Sequence, residues 1–520
     1  MRKISLSKKD KSINPKVKIV LIILAFLLTA LGVAVFVFLE TYHIYNTNIV
    51  NPTCEANGYT ESVCTICKKI NRTHYTEALG HNFGELKVKS EPTALEFGEN
   101  YQQCSRCNKQ KVTRTDPTID FKKLCFSGDA FTINADREAS GIVSYTNKGN
   151  KQNYFVCLHY ADDDNSRYIK HDYEISFFAD KKHTQEVQVA LMEGKPAAHT
   201  WRLYGNYHDF YNVRETVVAE LFSDIRKTSK AIDERLKKSY LLPKSEPILF
   251  FMNSSLVGVF RLEELDGLQT LNVKETDKMT AIVRSSYNSN QSYFKAEITD
   301  VGPWKIKYNF TDDDQWIYDS LNELQTFIEF AEDNEFKKGI SKYLDVDGMI
   351  DYMLVAYNTA AADNVARRLT LGTYDGKVWT PSFYNAKASF GLDNDGNITL
   401  LENVLAPEFK ITDKVEITAD TNSLLFERML NCFYDEIKER YNKLKDTAFS
   451  ANNIKQKFKK HINAVPQGVY DLEKEKYPLV DSTTNLDEFL EEFMNSRKTN
   501  LETFFANKKP QTEQKETTSN

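Results

Sequence analysis

The sequence predicts an α+β fold carried behind one N-terminal membrane-spanning helix and a small Cys-rich region. Three observations predict it. Residues 19–39 form a 21-residue run without a charge. Five of the eight cysteines are crowded between Cys54 and Cys107. From about residue 116 onward, short alternating apolar runs give way to longer stretches with helical spacing. The chain has 520 residues, 41% hydrophobic and 27% charged. That is ordinary globular composition, long enough for several folded units. A net charge of −6 leaves no basic excess for phosphate neutralisation, which argues against a dedicated nucleic-acid binder.

The apolar run comes first. At 1.5 Å per helical residue it spans the roughly 30 Å of a hydrocarbon core. Seven Lys or Arg in residues 1–18, against Asp10 alone, give this end +6 and leave −12 for the rest. A basic flank is retained in the cytoplasm. The expectation is a cytoplasmic tail at 1–18, an uncleaved signal anchor at 19–39, and an extracellular remainder on a single-pass membrane protein. A signal peptide cleaved near Ala34 is the alternative; bulky Phe36, Val37, Phe38 and Leu39 oppose it.

The next region, 40–115, contains a degenerate repeat of 40 residues. Pro52, Thr53, Gly58, Cys64 and Cys67 recur as Pro92, Thr93, Gly98, Cys104 and Cys107, while Cys54 maps onto Ala94. Each unit ends in Cys-x-x-Cys. Tetrahedral zinc accepts Cys64, Cys67, Cys104 and Cys107 as one ribbon-like site, or Cys54, Cys64, Cys67 and His81 as a site within the first repeat. Disulfides are the competing expectation outside the cell. Cys125, Cys157 and Cys432 are scattered and read as core residues. The first repeat, with Leu79 to Phe83 after its knuckle, resembles short Cys/His repeats of Gram-positive surface proteins, which implies a structural stalk.

The body, 116–506, begins strand-rich. Runs at 156–159 and 173–178 read as strands, and 248–252 with 257–262 as a hairpin across Asn253, Ser254 and Ser255. A helix is expected from about Tyr211, with Val217, Val218, Leu221, Phe222 and Ile225 on one face. Another is expected over 313–336, with Trp316, Ile317, Leu321, Leu324, Phe327 and Ile328 inward. Asp345 is placed to cap a helix through Leu354. Asp375-Gly376 predicts a type I′ turn between strands at 369–374 and 377–381. After Ser423 the pattern is helical, with Leu424, Leu425, Met429, Phe433 and Ile437 on one stripe. The last fourteen residues are polar, lack aromatics and read as a disordered tail.

Several blocks of the body, in order, resemble the CotH-like (spore coat protein H) kinase family. They are 201–209 (WRLYGNYHD) with Arg214, 251–264 (FMNSSLVGVFRLEE), 304–308 (WKIKY), 343–352, Asp363-Asn364, 373–379 (TYDGKVW), 389–396 (SFGLDNDG) and 428–441. The resemblance spans roughly 118–505 and implies an atypical protein-kinase-like, two-lobed fold. It also implies phosphoryl transfer from ATP with Mg²⁺, in which carboxylates orient the attacking hydroxyl and hold the metal.

The family pattern supplies Asp363. About twenty residues later it supplies two acids in Tyr-Asp-x-Asp-x-x-Phe-Gly, where this chain has Tyr384, Asn385, Ala386, Lys387, Ala388, Ser389, Phe390 and Gly391. Asn385 is an uncharged ligand at best, and a Lys387 ammonium repels a cation. The usual Lys-Asn after the Asp-Asn pair is Arg367-Arg368 here. The expectation is a degenerate member, a pseudokinase that binds a surface or envelope protein partner. An active Ser/Thr kinase and a purely structural envelope protein are the alternatives. ATP and Mg²⁺ are cofactors only if the site is active; Arg367, Arg368 and Lys387 could instead hold an anion without metal. Lys151, after a polar turn, is the nucleotide-phosphate candidate. Glu264 is the candidate to pair with it. Asp209 and Arg214 read equally as core ion-pair partners. Asp393 to Asn397 imitates the start of an EF-hand, but Ile398 and Val404 occupy the positions that need Gly and Glu.

Overall fold

A computed structural model describes residues 14–128, 138–161, 169–194, 197–229, 245–264, 277–398, 423–478 and 485–507. The basic segment before Asn14 and the polar tail beyond Asn507 lie outside the described residues. Two compact units are present. One comprises Phe97–Asp116 and the chain up to Pro92. The other comprises Thr93–Glu96 and the chain from Pro117.

The first unit opens with α1 (Pro15–Thr41), which Asn14 caps through the Lys16 N–H and Pro15 starts without losing a hydrogen bond. Its segment Pro15–Phe38 is long and apolar enough to cross a membrane or to serve as a signal sequence. Phe26, Leu27, Leu28, Leu31 and Phe36 are all exposed, as an apolar solvent requires. Two three-stranded antiparallel sheets follow: β1 (Tyr45–Val50), β2 (Gly58–Cys64) and β3 (Ile70–Thr76), then β4 (Lys87–Ser90), β5 (Gly98–Gln103) and β6 (Gln110–Thr115). Their strands carry few buried side chains. The 40-residue repeat is therefore one small sheet per copy with little hydrophobic core of its own.

The second unit is mixed α and β. Its first half is a closed barrel made of β7 (Lys123–Gly128), β8 (Ala139–Asn147), β9 (Asn150–Tyr160), β10 (Tyr173–Phe178), β11 (Thr200–Tyr204), β12 (Ser245–Met252) and β13 (Ser255–Glu264). They are ordered β10-β11-β13-β12-β7-β8-β9, with β9 returning to β10. All pairs are antiparallel except β7 with β12. Alternate residues fill the interior: Leu124 and Phe126, Val156 and Leu158, Tyr173, Ile175 and Phe177, Trp201 and Leu203, Ile248 and Phe250, Phe260 and Leu262. The barrel is a packed core rather than a cavity. Residues 156–159 and 173–178 are strands as expected. The β12–β13 hairpin turns on Asn253 and Ser254, both left-handed at φ 48° and 73°, a type I′ turn.

Helix α2 (Arg214–Arg226) buries Val217, Val218, Leu221, Phe222 and Ile225. It starts three residues later than the spacing predicts because Asp209 caps it there, accepting the Val213 and Arg214 N–H groups at 2.7 and 2.8 Å. Strands β14 (Ala281–Ser285), β15 (Trp304–Asn309), β16 (Thr370–Thr373) and β17 (Thr380–Ser382) form a second sheet, ordered β15-β14-β16-β17.

The helix expected over 313–336 is two, α3 (Gln315–Phe330) and α4 (Asp333–Gly339). Ala331 turns extended between them, and Arg428 donates to the freed carbonyls of Ile328 and Ala331. Asp345 caps α5 (Val346–Thr359) through the Gly348 N–H at 2.9 Å. The β16–β17 hairpin closes over a longer loop than a two-residue I′ turn. Only Gly376 is left-handed there, and Asp375 accepts the Lys377 and Val378 N–H groups. The helical C-terminal part comprises α6 (Leu424–Cys432), α7 (Tyr434–Leu444), α8 (Ala451–Ile462), α9 (Gln467–Lys476) and α10 (Leu486–Asn507). One apolar core joins α2, α3, α5, α6, α7, α8 and α10 to the second sheet.

Helix α9 reaches the barrel. Its Glu473 forms an ion pair with Lys170 at 3.0 Å, the two side chains 3% and 4% exposed, and accepts the Val259 N–H of β13. Gly258 is required at that contact: its φ is 153°, and a Cβ there would lie 2.1 Å from Glu473 Oε1.

Candidate functional site

Helix α5 ends in left-handed Ala360 and hands the chain to a 3₁₀ turn, Ala362–Val365, which carries Asp363 and Asn364. Both are buried. Asn364 is clamped: Tyr352 Oη donates to its carbonyl at 2.6 Å, and its Nδ2 donates to the Tyr384 carbonyl at 2.9 Å. The Asp363 carboxylate is engaged by Asn394 Nδ2 at 2.8 Å, Arg368 Nε at 3.3 Å and Arg367 at 3.9 Å. The turn and the loop after Phe390-Gly391 are thus fastened together through Asp363 and Asn394.

The segment from Tyr384 to Gly391 lies alongside, tied to the turn through the Tyr384 carbonyl. Asn385 is left-handed at φ 49°, 2% exposed, and its Oδ1 has no hydrogen-bond partner. Lys387 is buried. Phe390 packs edge-on against Phe458 of α8 and donates its N–H to the Thr359 carbonyl. These contacts fix the segment between α5 and the C-terminal helices.

A residue that sequence reasoning missed completes the site. Glu215, in the first turn of α2, takes the Asn385 backbone N–H and feels the charges of Lys387, Arg368 and Arg284. Burial pushes its carboxyl above the ordinary carboxylate range, while those four groups pull it down. No motif flags Glu215. Only the helix register that buries Val217 and Val218 aims it at Lys387.

Tyr384 carries the site to the barrel. Arg284 stacks on its ring at 3.4 Å, and its hydroxyl bonds to Tyr204 Oη at 2.7 Å and receives Arg202 at 3.0 Å. Arg202 is paired in turn with Glu174, which His159 meets at 3.1 Å. Against the upward push of burial, His159 and Arg202 hold Glu174 down at about 2.

The structure therefore brings Asp363, Arg367, Arg368, Asn385 and Lys387 to one place. Lys151 stands exposed at the end of the β8–β9 hairpin and is not among these buried groups. Glu264 lies in β13, but its side chain is outside the described residues. Asp209 and Arg214 are a buried ion pair at 2.8 Å that starts α2. The run from Asp393 to Asn397 closes on itself: Asp393 accepts the Asp395 and Asn397 N–H groups and the Asn397 side chain.

A divalent cation does not fit this site. Among the described residues, the Asp363 carboxylate is engaged by Arg368 and Asn394, and burial raises the Glu215 carboxyl against the pull of Lys387. The surrounding charges are Lys387, Arg367, Arg368 and Arg284, and the remaining oxygen, Asn385 Oδ1, is uncharged. Such a set repels Mg²⁺ and attracts an anion.

The Cys-rich unit holds a second type of chemistry. The four knuckle thiols Cys64, Cys67, Cys104 and Cys107 do not meet, nor does His81 join Cys54, Cys64 and Cys67; both expected ligand sets are corrected. Each small sheet holds its own knuckle, at the β2–β3 and β5–β6 turns. The groups that do assemble are Cys54, His81, Cys104 and Cys107, and separately His43, Cys64 and Cys67. All these cysteines are unbridged. His43 escaped the 40-residue register because it aligns with His81 two residues out of step. Its identity shows in the backbone: Thr65 donates to Ile44, as Ser105 donates to Asn82, each at a distance of 2.8 to 2.9 Å. A His-x-aromatic pattern marks both copies, His43 by Tyr45 and His81 by Phe83.

No curated protein matches the chain. The model of a family described as CotH kinase protein matches residues 149–501, from the β8–β9 hairpin into α10. With more than half of its length matched, the chain belongs to the CotH kinase protein family.

Proposed function

We propose that this is a membrane-anchored, extracytoplasmic member of the family whose two-lobed kinase-like domain has lost metal-dependent phosphoryl transfer. In this reading it serves as a binding or assembly factor for a surface or envelope protein. One observation carries the proposal: the buried Lys387 and Asn385 stand where the resemblance implies two metal-binding acids, and Lys387 places a positive charge near Glu215 instead. Kinase-like transfer works by positioning and by neutralising phosphate charge with metal, and a fixed ammonium there removes the metal's place. Helix α1 is the anchor, its basic flank facing the cytoplasm.

The deciding measurement is Mg²⁺-dependent nucleotide binding by the purified protein, beside an Asn385→Asp/Lys387→Asp variant. The expected result is Mg²⁺-dependent binding in the variant alone. Phosphate transfer by the wild-type protein that disappears with Asp363→Ala would establish an active Ser/Thr kinase and overturn the proposal. Absence of nucleotide from both proteins would favour a purely structural envelope component. Nucleotide binding by the wild type without Mg²⁺ would mark the Arg367, Arg368 and Lys387 cluster as a metal-free anion site.

A further inference from the structure

We propose that the Cys-rich unit is a head-to-tail metal array. Cys54, lent by the first repeat, closes a four-ligand zinc site with His81, Cys104 and Cys107 of the second, while His43, Cys64 and Cys67 form a three-ligand site with one coordination position open. The inference stands independently of the kinase-like domain.

The geometry supports the closed site. Tetrahedral zinc with bonds of about 2.3 Å to sulfur and about 2.0 Å to nitrogen has edges of about 3.8 Å between sulfurs and about 3.5 Å between sulfur and nitrogen. Cys54 Sγ lies 3.8 Å from Cys104 Sγ, and Cys107 Sγ lies 3.4 Å from His81 Nδ1. The four donor atoms all lie within 4.8 Å of one another. The Cys104 sulfur is steadied by the Arg106 N–H, as a thiolate ligand commonly is. His81 Nε2 meets Glu55 at 3.2 Å, a carboxylate behind a ligating imidazole that fixes the ring with Nδ1 towards the thiols. Thiolate and imidazole together select zinc among the common biological cations.

The open site has the same parts less one. Cys67 Sγ lies 3.3 Å from His43 Nδ1, and the Cys67 N–H approaches Cys64 Sγ at 3.5 Å. The missing ligand follows from the repeat. Cys54 sits in the Pro52-Thr53-Cys54 loop, and that loop serves the next copy, not its own. Helix α1 precedes the first copy, and among the described residues no fourth His, Cys or carboxylate groups with His43, Cys64 and Cys67. The second copy's loop carries Ala94, so the series ends there. A bound zinc at His43, Cys64 and Cys67 therefore takes an exchangeable fourth ligand, water or an added donor. Structural zinc sites close on four protein ligands, whereas a three-ligand site keeps a place for exchange.

The test uses the full chain in detergent, prepared under reducing conditions. Metal analysis should give two zinc ions per chain. Cobalt substitution should give thiolate-to-metal charge-transfer bands from both sites. Added imidazole should shift the spectrum of one site only, and His43→Ala should abolish that shift while leaving one tightly held metal. Cys54→Ser should weaken the imidazole-insensitive site at least tenfold and leave the imidazole-sensitive one unchanged. Cys54→His, which restores a ligand, should retain both metals and guards against misreading a folding defect. The proposal is overturned if a single metal is bound and lost with any one of Cys64, Cys67, Cys104 or Cys107. It is equally overturned if Cys54→Ser disturbs the imidazole-sensitive site instead, or if the purified protein holds no metal.

Discussion

Replacing Glu473 by Gln removes one charge from a buried pair while keeping an acceptor for the Val259 N–H. The Lys170 ammonium then faces Phe260 and Tyr477 at 5.3 and 5.7 Å with no countercharge within reach on α9. Breaking a buried ion pair from one side costs about 3–5 kcal/mol, because the surviving charge is left desolvated. The two aromatic faces return roughly 0.5–2 kcal/mol of attraction to the cation, which places the expected loss near the lower end, about 3 kcal/mol. Urea unfolding can be followed by tryptophan fluorescence, since Trp201 reports the barrel and Trp304 and Trp379 report the helical half. With a denaturant slope of about 3 kcal/mol/M, the midpoint should fall by about 1 M. A double variant, Lys170→Met with Glu473→Leu, should recover most of the loss, since an apolar replacement of a whole buried pair is often neutral. A single variant that loses less than about 1 kcal/mol, or a double variant no more stable than the single, would refute the account of how α9 is fastened to the barrel.

Three further outcomes follow from the same structure. Gly258→Ala should destabilise by about 1–3 kcal/mol in a denaturant titration, because the new Cβ meets Glu473 Oε1 at 2.1 Å on a backbone at φ 153°; an unchanged midpoint would contradict the packing. Ser254→Gly should stabilise by about 0.5 kcal/mol, since a left-handed residue costs about 1–2 kcal/mol and glycine's extra chain entropy returns part of it; thermal unfolding is the check, and a fall in melting temperature would count against it. The His159–Glu174 contact should make stability bell-shaped in pH. Glu174, held at about 2 against an ordinary 4.5, contributes fully above pH 4.5 and loses that contribution as pH falls towards 2. His159, raised above 6.5 by its hydrogen bond to Glu174, contributes fully below pH 6.5 and loses that contribution as pH rises through its folded value. His159→Gln should flatten the alkaline limb above pH 6.5, and a limb left intact would assign it elsewhere.

What the sequence made legible was mostly local. Period-two alternation located β9 and β10, the Asn253-Ser254 pair located the tightest hairpin, and Asp345 announced α5. The break between α3 and α4 was hidden because Phe327, Ile328 and Phe336 continue one apolar pattern through Ala331. Barrel closure was hidden as well, since a parallel pairing of β7 with β12 joins segments more than a hundred residues apart and leaves no local trace. At the candidate site, the motif positions Asp363, Asn385 and Lys387 could be read, because the family pattern marks them. Glu215 and Arg284 could not, because their part depends on which helix and strand lie opposite. The cysteine repeat displayed every thiol yet concealed the partners, for Cys54 acts across the repeat boundary and His43 falls two residues out of register.

The parallel β7–β12 pair also bears on where the domain begins. The family match starts at residue 149, after β7 and β8, yet these two strands close the ring between β12 and β9. A fragment trimmed to the matched region would turn a seamless cylinder into an open sheet with two bare backbone rims, and it would uncap Phe250 and Phe260 inside. Such rims recruit strands from neighbouring molecules. Aggregation of a protein cut at 149, set against a well-behaved one beginning at Pro117, is what this fold dictates.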